Sequence, residues 1–163
     1  MMIVSDTSPI SNLLRIDRLS LLNELYGSLI IPQRVYQEIG ALATFGIDIT
    51  LIQSADWINV QTALDRTLVS TLLSELDPGE AEAIALAVEL KADRLLIDER
   101  IGRSVAQRYG LNITGLLGVL VAAKKNHLIS QLKPILNQLI SQAKFRVHPD
   151  LYNQILQDAD EVL

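Results

Sequence analysis

Met2-Ile3-Val4-Ser5-Asp6-Thr7-Ser8-Pro9 is the stretch on which the fold turns. Four residues without charge, two of them β-branched, read as a short buried strand. Asp6 to Pro9 then offers a helix start, with Ser8 as N-cap and Pro9 at the first helical position. The same succession recurs at Leu29 to Ile31, where Pro32 opens a helix carrying Val35, Ile39 and Leu42 at helical spacing. Trp57 to Gln61, Arg94 to Ile97 and Leu111 to Thr114 read as three further strands. Helical stretches fall between them, over 64–76, from Asp77-Pro78-Gly79-Glu80 to about Ala92, and over 99–109. Asp77, Pro78 and Glu80 stand at cap, first and third helical positions, the spacing of a capping box. Residues 44–56 read ambiguously. Strands alternating with helices predict an α/β fold, a three-layer α/β/α sandwich with a mostly parallel sheet of about five strands.

No repeat, linker or low-complexity tract divides the 163 residues, which are read as one domain over 1–163. Residues 116–163 are expected to be a helical extension packed on it. The longest apolar run, Gly115 to Ala123, is about half of what a spanning helix needs, so no membrane segment is expected. The chain has no cysteine, which excludes disulfides, thiolate catalysis and Cys-based metal sites. With no basic start and apolar run at the N-terminus, a cytoplasmic protein is expected.

The formal charge of −5 argues against nucleic acid until the charges are placed. Residues 1–99 carry six basic and fifteen acidic side chains, whereas residues 100–149 carry eight basic and no acidic ones. The tail from Asp150 adds four acids. A basic face beside an acidic one follows.

In an open parallel sheet, ligands bind beyond the carboxyl ends of the strands, where the strand order reverses. Asp6 follows the first strand and Asp98 the fourth; if those strands are neighbours, both carboxylates face one crevice. Glu38, Glu80 and Glu82 lie near helix starts on that side, and Glu99 adjoins Asp98. Two carboxylates about 4 Å apart repel by roughly 4 kcal/mol at an effective dielectric of 20, so such a cluster needs protons or a cation. The donors are all hard oxygens, which select Mg²⁺ or Mn²⁺ and point to phosphate chemistry. Each residue has a plainer role as well: Asp6, Ser8, Asp98 and Glu80 as caps, Glu38 as a solvated helix residue. No glycine-rich turn follows the first strand, which excludes dinucleotide binding of the Rossmann type.

Four segments in order carry a resemblance to the PIN-domain family, in its prokaryotic branch related to toxin ribonucleases of toxin-antitoxin pairs. They are Val4 to Ile10; Ile31-Pro32 with Val35 to Ile39; Leu76 to Ala83; and Leu95 to Arg100. The resemblance implies a metal-dependent ribonuclease, with Asp6, Glu38, Glu80 and Asp98 as metal-binding and catalytic acids. Glu82 and Glu99 compete with their neighbours for the third and fourth places. Where many members have Thr or Ser before the last acid, this chain has Ile97. The implied chemistry is in-line hydrolysis leaving a 5′-phosphate and a 3′-hydroxyl, with Mg²⁺ or Mn²⁺ as cofactor. Ser8, Arg100, Arg103, Lys124 and Lys125, with His127 beside them, are candidate RNA-binding residues. An antitoxin protein and a second copy of the chain are the partners such a family leads one to expect. The alternative is a catalytically silent PIN-like module that binds RNA or a protein.

Overall fold

The structure, a computed structural model, describes residues 1–161. Five parallel strands stand in the order β3-β2-β1-β4-β5: β1 Ile3–Ser5, β2 Leu29–Pro32, β3 Ile58–Gln61, β4 Arg94–Leu96 and β5 Ile113–Thr114. The order runs outward from β1 in both directions, so the reversal lies between β1 and β4. Ile3 pairs with Arg94 and Ser5 with Leu96, which brings the two strand ends level.

Successive strand residues feed opposite faces, as the period of two requires. Ile3, Leu29, Ile31 and Leu96 join one core, and Val4, Leu95 and Ile97 join the other. The first core lies under helices α1 (Thr7–Arg15), α2 (Ser20–Tyr26) and α3 (Gln33–Ala41) and, further along the chain, α8 (Leu116–Lys125), α9 (Lys133–Gln142) and α10 (Pro149–Asp158). The second lies under α5 (Arg66–Leu72), α6 (Pro78–Leu90) and α7 (Arg100–Arg108). From Gly79 to Ala87 every residue of α6 is buried. Its run of alanines lets the sheet, α3 and α5 approach from several sides at once.

Most element boundaries match the sequence reading, and the differences have local causes. The ambiguous stretch contains a short helix, α4 (Thr50–Ser54), before which Asp48 accepts hydrogen bonds from the Thr50 N–H and hydroxyl. The helix expected over 64–76 is shorter, starting after Asp65, whose carboxylate caps it through the Leu68 N–H. The fifth strand keeps only Ile113 and Thr114. Ser8 is not an N-cap: backbone already helical at Thr7 leaves Asp6 in that position and puts Ser8 and Pro9 inside the first turn. Pro9 is tolerated there because first-turn N–H groups have no partner within the helix. Among the described residues no helix is long and apolar enough to cross a membrane.

Candidate active site

The hydroxyls of Thr7 and Ser8 sit on adjacent positions of the first turn of α1 and diverge around Asp6. Thr7 Oγ1 donates to Glu38 Oε1 at 3.0 Å, and Ser8 Oγ donates to Asp98 Oδ2 at 3.1 Å. Asn12, one turn on, donates through Nδ2 to Ser8 Oγ at 3.3 Å. The other oxygen of Asp98 accepts the Leu116 N–H at the start of α8, at 2.7 Å. Asp98 is thus a carboxylate held from two sides and not a helix cap; Glu99 occupies the cap position of α7. The Asp6 N–H donates to the carbonyl of Leu96 at 2.9 Å, tying the end of β1 to β4. Asp6 stands at the N-cap of α1, yet its carboxylate makes no capping bond there.

On the other side of Asp6 lies the start of α6. Asp77 Oδ1 accepts the Glu80 N–H at 2.9 Å, giving the first half of the expected capping box. Glu80 is itself 6% exposed, and its Oε2 is buried with no hydrogen-bond partner. Two glycines make room for these acids. A Cβ on Gly79 would fall 2.5 Å from Glu38 Oε2, and a Cβ on Gly102 would overlap Glu80 Oε2.

Electrostatics marks the same group. Burial pushes the Asp6 carboxyl up to about 7; the Thr7 backbone N–H opposes this, and repulsion from Asp77, Glu38 and Asp98 adds to it. Burial, then the side-chain hydrogen bond and repulsion with Asp77, then repulsion from Asp6, push Glu80 up to about 8, against the Asp77 backbone N–H, which favours its charged form. Asp98 is raised by burial as well, against the Leu116 N–H, the Ser8 hydroxyl and the Arg103 guanidinium, which all favour its charged form. Buried acids held above their ordinary range are groups that lack a counter-charge, and they are enriched at functional sites.

Glu82 and Glu99 behave differently. Half a turn from Glu80, Glu82 receives a bidentate ion pair from Arg66, with Nη2–Oε1 at 2.6 Å and Nη1–Oε2 at 2.9 Å, which fastens α5 to α6. Glu99 is exposed and lies beside Asp98 at the mouth of a cleft. Asp77, read from the sequence only as a cap, belongs among the acids around Asp6; its one signal in the sequence, the short spacing Asp-x-x-Glu, is also that of a cap. Among the described residues no three acids or histidines lie close enough together to hold one ion as placed. The donors nonetheless suit a hard divalent cation: carboxylate oxygens only, three of the acids disfavoured as anions, and one buried oxygen orphaned.

The cleft, of about 1060 Å³, opens from Asp98 along α7 and is lined by Arg100 and Arg103 on one wall. Lys124 and Lys125 are not part of it. Lys124 pairs with Glu161 at 2.9 Å, and both lysines lie at the far end of α8, about 13 Å of helix from Leu116. The basic residues that do line the cleft from the C-terminal side are Lys144 and Arg146. They belong to the acid-free window but stand in a turn, where no helical spacing singled them out.

A family model described as a PIN domain, DUF3368, matches residues 2–161. Among curated proteins none matches the chain. Of solved structures, a PilT N-terminus domain protein from the hyperthermophilic archaeon Sulfolobus solfataricus P2 is similar, with a TM-score of 0.53 and 19% sequence identity. The similarity covers 76% of this chain and 93% of that one, and at this identity it speaks for the fold.

Proposed function

The chain belongs to the PIN-domain family, and from that premise we propose that it is a divalent-metal-dependent endoribonuclease acting in the crevice between β1 and β4. PIN domains are generally nucleases that use divalent metal ions. The observation that carries the reading for this chain is the placement of Asp6, unbonded as a cap and pushed up to about 7, between carboxylates that Thr7 and Ser8 hold on either side.

Asp6, Asp98, Glu38 and Glu80 would hold Mg²⁺ or Mn²⁺. When bound, the ion lowers the pKa of water and neutralises charge developing on phosphate oxygens. The chain's own residues do the rest. Ser8 and the Leu116 N–H fix the rotamer of Asp98, and Asn12 fixes the Ser8 hydroxyl. Thr7 fixes Glu38, which also faces Arg34 at 3.5 Å. Arg100 and Arg103, at the cleft beside Asp98, bind the phosphates flanking the scissile one. Burial of Asp6 and Glu80 keeps bulk water from screening the site.

Incubation of mixed-sequence single-stranded RNA with the protein and Mg²⁺ or Mn²⁺ tests this reading. Cleavage is expected, abolished by EDTA and by Asp6→Asn; cleavage that survives both overturns it. The finer reading as a toxin is tested by induced expression, which should arrest growth in the wild type and not in Asp6→Asn. One observation favours the silent binding module instead: among the described residues, no three acids stand at ligating distance from a common point. RNA binding without turnover under any divalent metal would select that module.

A further inference from the structure

The acid-free window of the sequence ends in Lys144-Phe145-Arg146, and the structure folds this turn back to the mouth of the crevice. There Lys144 and Arg146 line the cleft with Arg100 and Arg103, the turn packing on the first core and α7 on the second, on the other face of the sheet, and among the described residues the acids lining the cleft are Asp98 and Glu99. The turn is built in. Phe145 is half-buried against the first core, and its N–H donates to the Leu139 carbonyl at 3.0 Å. Tyr152 Oη donates to Asn137 Oδ1 at 2.7 Å, joining α10 to α9. Glu161 accepts from Lys124 Nζ and from the Leu132 and Lys133 N–H groups, so the end of α10 is fastened to α8 and to the start of α9. The backbone of Lys144 is left-handed, with φ 58°, which directs the chain around the corner while both basic side chains stay exposed.

We propose that the C-terminal extension supplies the second wall of the substrate path. On this assignment Lys144 and Arg146 hold backbone phosphates of single-stranded RNA across the cleft from Arg100 and Arg103, leading the strand to Asp98. The assignment rests on the ribonuclease reading. Four basic residues around an open cleft of about 1060 Å³ suit a polyanionic strand better than a single small anion. Phe145 is a positioning residue that keeps the turn seated.

Binding of a labelled 12-nucleotide single-stranded RNA, followed by fluorescence polarisation in EDTA, separates grip from turnover. The test variant is Lys144→Asn with Arg146→Gln, asparagine being chosen because it accepts the left-handed backbone. The control, Lys91→Asn with Lys133→Gln, removes the same charge, including one lysine at φ 52°, from positions outside the cleft. The test variant is expected to bind at least tenfold more weakly at 100 mM salt. The slope of log affinity against log salt should shrink by about 1.4, two contacts at roughly 0.7 each. The control should stay within twofold of wild type, and both variants should keep the wild-type melting temperature. Equal losses in test and control, or a test variant within twofold of wild type, overturn the assignment. If Arg100→Gln with Arg103→Gln still weakens binding in that case, only the second wall falls. Wild-type protein that binds no RNA overturns the wall and the RNA reading together.

Discussion

The two regions that meet at Asp98 are built on opposite principles. On the sheet side, Asp6 and Glu80 are buried, and burial and neighbouring carboxylates push both well above the usual carboxylate range. On the cleft side, Arg100, Lys144 and Arg146 are exposed and carry their charge into solvent, and Arg103 is half-exposed. Buried like charges cost stability and are kept where they act on a ligand; exposed charges cost little and act at longer range. The acidic region therefore should reveal itself in stability and metal dependence, and the basic region in salt dependence.

The largest expected effect is on stability. The folded chain holds a proton on Asp6 up to about pH 7, whereas an unfolded aspartate loses it near 3.8. The native state thus binds more protons between those values, and stability falls as pH rises from about 4 to 7, by on the order of 4 kcal/mol from Asp6 alone. Glu80, raised to about 8 from 4.5, extends the fall in the same direction. Melting temperatures in EDTA should drop across this range, and Mn²⁺ at pH 8 should restore them. A melting temperature independent of pH would break the contrast between the two regions.

Next in size, Asp6→Asn should lower RNA cleavage by at least about 100-fold, the scale of losing a metal-site carboxylate. The same variant should melt no lower than wild type at pH 8, because it removes a buried group that resists ionisation. Gly79→Ala comes third. Its Cβ would displace the Glu38 carboxylate, a flexible side-chain end, so the fold survives while cleavage falls by roughly tenfold. Smallest is Glu82→Gln, which weakens the pair with Arg66. It should cost about 1 kcal/mol, seen as a drop of roughly 2–4 °C in melting temperature, and leave cleavage unchanged. Lost activity there would return Glu82 to the site.

Glu80 and Glu82 also show how far the sequence could be read. The succession of strands and helices along the chain, and the place of Asp6 and Asp98 at the ends of their strands, followed from alternation and from the end-of-strand rule, both of which are local patterns; that β1 and β4 are neighbours is a fact of the sheet. Which glutamate of Glu-Ala-Glu faced Asp6 did not follow, because the answer lies in Arg66, sixteen residues earlier in the chain, and in the close approach of Gly102 to Glu80. Ser8 was legible as a polar residue at a helix start, yet its use on Asp98, ninety residues away, is a tertiary fact. Lys124 and Lys144 make the same point for the basic face. Both belong to one acid-free window, and only packing turns one toward Glu161 and the other toward the cleft.

Titration of Mn²⁺ into the protein at pH 8, read by loss of the free-ion electron paramagnetic resonance signal, tests the central claim most directly. One or two ions should bind per wild-type chain, binding should be lost in Asp6→Asn and in Asp98→Asn, and Glu82→Gln should bind as wild type does. A wild-type chain that takes up no Mn²⁺, or an Asp6→Asn chain that binds it equally well, would contradict the assignment of the crevice as a metal-dependent active site.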